Sequence, residues 1–125
     1  MADPIAEFFT SLTLRHDTAV RKIAGTIRCD LVADGRTEYW FVDIKDGDMD
    51  VSREKRDAEC LIRADKTLFC RFVTGEANVM VAWLGYRIYI AGRTDLFRAF
   101  ERLFPGPVGA RDPRNLAGGP GSLAR

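Results

Sequence analysis

The chain has 125 residues and a mass of 14.0 kDa, which suffices for one domain with a hydrophobic core but not for two ordinary domains. Hydrophobic residues make up 46% and charged residues 30%, a composition typical of a globular protein that is neither disordered nor embedded in a membrane. The 19 Lys and Arg against 18 Asp and Glu leave a net charge of +1, so the positive surplus of a nucleic-acid-binding protein is missing. We therefore expect no nucleic-acid partner.

The N-terminal segment predicts an amphipathic helix from about Pro4 to Arg15. Asp3 is suited to the N-cap and Pro4 to the first turn, and the apolar side chains that recur at helical spacing are Ile5, Phe8, Phe9 and Leu12. The same segment has no basic start and no uninterrupted apolar run, so it does not read as a secretion signal.

Four short stretches that alternate between apolar and other side chains follow, as expected of half-buried strands. Their alternating apolar residues are Ile27, Cys29 and Leu31; Trp40, Val42 and Ile44; Met49 and Val51; and Cys60 and Ile62. Asp34-Gly35 and Asp46-Gly47 are hairpin-turn pairs, and charged residues from Arg53 to Asp57 form a third connection. The pattern predicts an antiparallel meander.

The second half predicts two helices, a strand and a last helix. Asp65 is suited to cap the first of these helices, which ends at Gly75 and has the apolar face Leu68, Phe69, Phe72 and Val73. The next helix, Ala77 to Leu84, is apolar around nearly its whole circumference, which predicts burial on more than one side.

A fifth strand and a C-terminal helix complete the predicted domain. Tyr86, Ile88 and Ile90 alternate with Arg87 and Tyr89 up to Gly92. Thr94 is suited to cap a helix whose apolar stripe consists of Leu96, Phe97, Phe100, Leu103 and Phe104.

The order helix, four strands, two helices, strand, helix predicts an α+β domain over residues 1–104, with a five-stranded, mainly antiparallel sheet and helices on one face. Residues 105–125 are rich in Gly and Pro without periodicity, which predicts a flexible tail. Of the eight phenylalanines, all but Phe41 fall on the apolar faces of predicted helices. These rings either fill the core or surround a ligand.

Three stretches, GTIRCDL, YWFVDIKDGDMDVS and AECLIRADKTLFCRFVTGEANVMVAWLGYRIYIAG, follow one another with glycines at the joints between elements. Together they resemble the sterol carrier protein type 2 family of small lipid-binding domains, and the resemblance covers roughly Pro4 to Phe104. It implies a hydrophobic tunnel between sheet and helices that takes fatty acids, fatty acyl-CoA, sterols or phospholipids without a catalytic step.

With this resemblance, a ligand-lined cavity is favoured over a closed core. The side chains expected to line it are Phe8, Phe9, Leu12, Phe72, Met80, Trp83, Leu84, Phe97, Phe100 and Phe104. Arg71, Arg87 and Arg93 are candidates to pair with a carboxylate or phosphate head group, and the sequence does not choose among them.

We therefore expect a cytoplasmic, non-catalytic lipid binder that needs no cofactor and makes transient contact with membranes. The alternative is a closed-core accessory or dimerisation module that supports a partner enzyme. An enzyme acting on a lipid is disfavoured because no acid–base pair can be named. The terminal Leu123-Ala124-Arg125 departs from the tripeptide of the family's peroxisomal members, so peroxisomal targeting is not supported.

The cysteines, the histidine and one cluster of carboxylates are residue types that form catalytic or metal sites in other proteins, but in this sequence they have structural interpretations. Cys29, Cys60 and Cys70 lack metal-binding or redox spacing and are expected to be reduced thiols. His16, the only histidine, is expected at the surface near a helix end. The carboxylates of residues 46–50 resemble the opening of a calcium loop, but Val51 stands where that loop needs glycine, so a solvated hairpin is expected.

Overall fold

A five-stranded sheet with helices packed on one face forms the domain, and this computed structural model describes residues 3–15, 20 and 22–105. The strands are β1 (Gly25–Ala33), β2 (Arg36–Lys45), β3 (Asp48–Ser52), β4 (Cys60–Asp65) and β5 (Tyr89–Gly92). The helices are α1 (Pro4–Leu12), α2 (Lys66–Val73), α3 (Val79–Leu84) and α4 (Thr94–Glu101). The predicted α+β class and the predicted order of elements are confirmed. His16 and the predicted tail after Pro105 lie outside the described residues.

The strand order is β3-β2-β1-β4-β5, and one neighbouring pair is parallel. β1 pairs antiparallel with β2, β2 with β3 and β4 with β5, whereas β1 and β4 run parallel, with Ile27 opposite Cys60. The predicted four-stranded meander is therefore wrong at its last step. The connection after β3 crosses the sheet and inserts β4 on the far side of β1, instead of folding back beside β3.

Basic side chains hold this crossing connection against the aromatic rings of β2. The guanidinium of Arg53 lies 4.1 Å from the Trp40 ring centroid, and that of Arg56 lies 4.6 Å from the Phe41 ring. At the end of the connection, the backbone N–H of Glu59 donates to Thr26 Oγ1 at 3.0 Å. Phe41 is buried on the sheet face opposite the helices, because the connection passes over it. These contacts stabilise the crossing.

The two Asp-Gly turns form as predicted. Asp34 and Gly35 have φ angles of 51° and 75°, and Asp46 and Gly47 have 54° and 86°. Positive φ at both central residues is typical of the type I′ turn, whose twist matches that of a two-residue hairpin.

The predicted Asp caps also form, while some element ends differ from the predictions. Asp3 accepts from the N–H groups of Ile5 and Ala6, and Asp65 from those of Thr67 and Leu68. Helix α1 ends at Leu12 rather than near Arg15. Arg93, not Thr94, is the N-cap residue of α4.

Strand β5 begins at Tyr89, later than the alternation from Tyr86 predicted. Tyr86 has a φ of 60°, which ends helix α3 in a left-handed turn and delays the extended conformation.

Helix α3 is buried on one side only, so the predicted burial on more than one side is wrong. Val79 and Ala82 face the core, whereas Val81 and Leu84 are 68% and 70% exposed. A single short helix on the outside of the helical layer has neighbours on one face, whatever its composition.

The core lies between the helices and the inward rows of the central strands. On β1 this row is Ile27, Cys29 and Leu31, and on β2 it is Trp40, Val42 and Ile44, all of them buried. The opposite sheet face carries the buried carboxylate of Asp30, which accepts two hydrogen bonds from Arg28, at 2.8 and 3.1 Å. The apolar side of the sheet is thus the side under the helices.

Candidate functional site

Three parallel aromatic rings connect the sheet to the helical layer. Phe9 of α1 stacks on Trp40 of β2 with ring centroids 4.5 Å apart and planes 6° apart. On its other side, Phe9 lies parallel to Phe69 of α2 at 5.7 Å. Offset or stacked rings at these distances attract one another beyond the area that they bury. We call these three side chains the aromatic column.

A further ring, Phe104, covers the column from beyond the end of α4. It stacks on Phe8 at 4.6 Å and meets Phe69, Phe72 and Phe100 edge-on, at 5.5, 6.1 and 5.3 Å. Phe104 is only half-buried. It is therefore the ring of this group that can move with the least disruption of regular structure.

The predicted lining residues separate into three groups. Buried members of the core are Phe8, Phe9, Leu12, Phe72, Phe97 and Phe100. Met80, Trp83 and Phe104 are half-buried against it. Leu84 is exposed and has no place in the core. Phe9 belongs to the column, Phe8, Phe72, Phe100 and Phe104 come together around it, and Phe97 pairs with Trp83 at 5.0 Å.

Phe9, Leu12, Phe97 and Phe100 have no exposed surface at all. In the described conformation they pack on other side chains instead of bordering a water-sized void. A bound chain at this place has to displace part of the ring packing.

Phe69 and Trp40 take central positions that the sequence interpretation did not assign to the site. Phe69 lies on the predicted apolar face of α2, and Trp40 lies in the inward row of β2, so helical and strand periodicity could have identified both.

A polar cluster lies at the β1–β2 hairpin end of the column, centred on Glu38. The Trp40 Nε1–H donates to Glu38 Oε2 at 2.7 Å, and Lys66 Nζ donates to Glu38 Oε1 at 2.9 Å. Arg53 Nη2 lies 3.8 Å from Glu38 Oε2. Donors from β2, α2 and the crossing connection thus converge on one carboxylate.

The charge state of this cluster follows from its contacts. Burial acts to raise the pKa of Glu38, but the hydrogen bonds from Trp40 and Lys66 and the charges of Lys66 and Arg53 together outweigh it and hold the pKa below its ordinary value. The hydrogen bond to Glu38 in turn raises the pKa of Lys66. At neutral pH Glu38 is an anion and Lys66 a cation.

A cleft of about 640 Å³ opens beside Glu38, on the helix-bearing side of the sheet. Ala33 contributes apolar surface to it, the fully buried Leu31 lies behind that surface, and Arg36, Arg53 and Lys66 contribute positive charge. A second cleft of about 510 Å³ lies near the same ends of β1 and β4, on the side of β5, and is lined by Val32, Tyr86, Arg87 and Tyr89 among others.

None of the three guanidinium groups considered from the sequence is among the side chains that line the cleft beside Glu38. Arg93 donates to the carbonyl oxygen of Ala24 at 3.0 Å and to the carboxylates of Glu59 and Asp95 at 3.1 and 2.7 Å, so its donors serve the fold. Arg71 is exposed on α2, and Arg87 lines the second cleft.

Cys29 and Cys60 offer no activated nucleophile. Burial, and then the charges of Cys60 and Asp30, raise the pKa of Cys29 well above its ordinary value. Burial, followed by the charge of Asp95, raises the pKa of Cys60 to about 11. Both side chains are protonated thiols at neutral pH, and a thiol is a much weaker nucleophile than a thiolate.

Within residues 3–15, 20 and 22–105, no group of three or more His, Cys, Asp or Glu side chains is arranged to hold a metal ion. None of the helices in that part of the chain is long and apolar enough to cross a membrane.

Solved structures of sterol carrier proteins are similar to this fold. Sterol carrier protein 2 of Aedes aegypti, solved in complex with palmitate, matches with a TM-score of 0.63 and 19% identity, over 82% of this chain and 94% of that one. Apo sterol carrier protein 2 of Yarrowia lipolytica matches at 0.56 and 26% identity, over 65% and 72%. The ubiquinone synthesis protein UbiJ-SCP2 matches at 0.57 and 14% identity, over 78% and 86%.

No curated protein matches the chain. The model of the SCP-2 sterol transfer family, however, matches residues 9–105, which include nearly all of the described domain. The chain therefore belongs to the SCP-2 sterol transfer family.

Proposed function

We propose that the protein is a non-catalytic lipid carrier that holds a fatty acyl chain or a sterol-like body among the aromatic side chains between helices and sheet. The observation that carries the proposal is the half-buried Phe104, which covers the aromatic column from beyond the end of α4. A relative with the same fold binds palmitate, which makes a fatty acid the first ligand to test. The buried, protonated thiols of Cys29 and Cys60 fit a binder better than an enzyme, and free cysteines fit a reducing, cytoplasmic compartment.

The energetics allow a lipid to open the ring packing. Burial of ten methylene groups contributes on the order of 8 kcal/mol, at about 0.8 kcal/mol each. Each ring pair that separates loses about 0.5–1.5 kcal/mol beyond its buried area. Because the ligand replaces most of the lost contacts with its own, a long chain can displace Phe104 and a few neighbours, whereas a short chain cannot.

Native mass spectrometry of freshly purified protein, followed by extraction, tests binding directly. We expect an additional mass of a few hundred daltons that disappears on delipidation, and saturable uptake of a fluorescent fatty acid afterwards. An apo mass alone, together with no uptake, would contradict the proposal.

A spin-labelled fatty acid tests the position of the ligand. Stearic acid that carries a nitroxide near its methyl end should broaden the ring-proton NMR signals of Phe8, Phe69 and Phe104. The methyl signals of Leu14, which is exposed, serve as the matched control. Broadening at Leu14 with sharp ring signals would place the lipid on the surface and contradict the assignment.

The second candidate function, an accessory or dimerisation module, is favoured by one feature. Val81, Leu84 and Tyr86 are exposed within a few residues at the end of α3, and exposed apolar groups of this kind occur at interfaces between proteins. A molecular mass that rises with concentration in size-exclusion chromatography, without any lipid uptake, is the result that this function predicts.

A further inference from the structure

The inward row of β2 changes from apolar to charged at the β1–β2 hairpin end. Val42 and Trp40 are buried in the core, and Glu38, the next residue on this face, reaches Lys66 on α2. Opposite Glu38 on β1 lies Leu31, which is fully buried in the core, and two residues further along β1 the partly exposed Ala33 lines the cleft of about 640 Å³. The apolar layer is therefore continuous with a charged cleft at this end of the sheet.

This cleft has the donor set of a receptor for an anion. Arg36, Arg53 and Lys66 line it, against the carboxylates of Asp34 and Glu38. Lys66 Nζ and the indole N–H of Trp40 already bind the two oxygens of Glu38, at 2.9 and 2.7 Å. Arg53 is held in place because its Nε donates to the carbonyl oxygen of Tyr39 at 2.9 Å. A carboxylate is thus bound here in the described conformation, and it belongs to the protein itself.

We propose that this cleft receives the acidic head group, a carboxylate or a phosphate, of the bound lipid, and that Lys66 and Arg53 pair with the head group while Glu38 is the internal anion that it displaces. This inference rests on the proposed function, because it places the head of the lipid whose chain lies among the aromatic rings.

The geometry gives Glu38 a specific role in affinity. An incoming anion has to replace the Glu38 carboxylate on Lys66, and the two negative charges repel each other while they share the cleft. Glutamine at position 38 has the same size but carries no charge. Glu38→Gln therefore leaves Lys66 and Arg53 available to the ligand and should tighten the binding of acidic lipids.

The test compares hexadecanoic acid, its methyl ester and hexadecyl phosphate on the full chain. The ester has the same chain without the charge, so the ratio of acid to ester affinity measures head-group recognition alone. We expect Lys66→Met to lower this ratio about five-fold and Glu38→Gln to raise it by a similar factor, which is the range expected for one partly exposed charged contact.

Lys55→Met is the matched control. It removes the same charge, but the Lys55 ammonium lies over the Tyr39 ring, 5.2 Å from its centroid, on the opposite face of the sheet. Lys66→Arg keeps the positive charge, so its ratio of acid to ester affinity should remain that of the unmodified protein. An equal fall of the ratio in Lys55→Met and Lys66→Met would overturn the proposal in favour of a general charge effect.

The indole N–H signal of Trp40 gives an independent readout that a purely structural role of Lys66 would not move. Because this N–H donates to Glu38, displacement of Glu38 should shift its NMR signal more with the acid and the phosphate than with the ester, whose chain alone perturbs the aromatic column. The shift beyond that caused by the ester is the readout. A shift with the acid alone assigns the site to carboxylates, and a shift with the phosphate alone assigns it to phospholipid-type heads.

Failure of this inference and failure of the proposed function give different results. Equal binding of acid and ester to every variant would overturn the head-group site and leave lipid binding intact. No binding of either, including the ester, would contradict lipid binding itself.

Discussion

At the scale of single residues, Gly92 occupies a position that requires glycine for two physical reasons. Its φ is 91°, a conformation that is strained for any residue with a side chain. A Cβ atom there would also overlap the carbonyl oxygen of Glu59, which accepts a hydrogen bond from the Arg93 N–H at 2.8 Å. Relief of this overlap would break the contact between the start of β4 and the end of β5.

We predict that Gly92→Ala destabilises the fold by about 3 kcal/mol or more, as the sum of backbone strain and overpacking. Gly35→Ala is the matched control, since Gly35 has a φ of 75° and no neighbouring atom near an added Cβ. That control should cost only about 1 kcal/mol. Urea denaturation measures both values, and equal losses would show that conformation alone, without the overlap, accounts for the role of Gly92.

Glu38 shows why part of the site could not be predicted from the sequence. Alternation indicated that Trp40, Val42 and Ile44 face one side of β2, and this is correct. The same alternation puts Glu38 on that side, but a charged residue at the beginning of a strand reads as solvated. Its partners Lys66 and Arg53 come from distant parts of the chain, so only the assembled fold brings the three charges together.

At the scale of elements, the features that depend only on residues close together in the chain could be predicted from the sequence. The two Asp-Gly turns and the Asp3 and Asp65 caps depend on neighbouring residues, and they form as predicted. The parallel pairing of β1 with β4 depends on contacts across the sheet, such as Arg56 on Phe41, and no short stretch of sequence encodes it. The meander prediction was wrong for this reason.

Helix α3 allows a direct test of its one-sided burial. We predict that Val81→Lys and Leu84→Lys change the free energy of unfolding by less than about 0.5 kcal/mol, because both side chains already face solvent. Ala82→Lys is the control on the buried face and should cost several kcal/mol, since it places a charge in the core. Thermal unfolding of the three variants measures these changes in the free energy of unfolding. A large loss in the first two variants would indicate that the outer face of α3 is covered in solution.

At the scale of the whole molecule, the core and the proposed ligand share the same space. Rings from α1, β2, α2 and the end of α4 pack on one another where the acyl chain is proposed to lie. A ligand that enters this space becomes part of the core, and its binding free energy adds to the stability of the folded state.

We predict that fatty acids raise the melting temperature of the delipidated protein and that the rise increases with chain length. A ligand at 100 times its dissociation constant stabilises the fold by about 2.7 kcal/mol, or about 10–20 °C for a domain of this size. Each added methylene contributes about 0.8 kcal/mol of burial, which is close to a four-fold gain in affinity. Differential scanning calorimetry at one fixed ligand concentration should therefore show almost no shift with octanoic acid and a large shift with hexadecanoic acid. The shift should stop growing at the chain length that fills the space released by Phe104. The same small shift for every chain length would mean that the ligand binds outside the core, because a surface site buries only part of the chain and gains little from its extension.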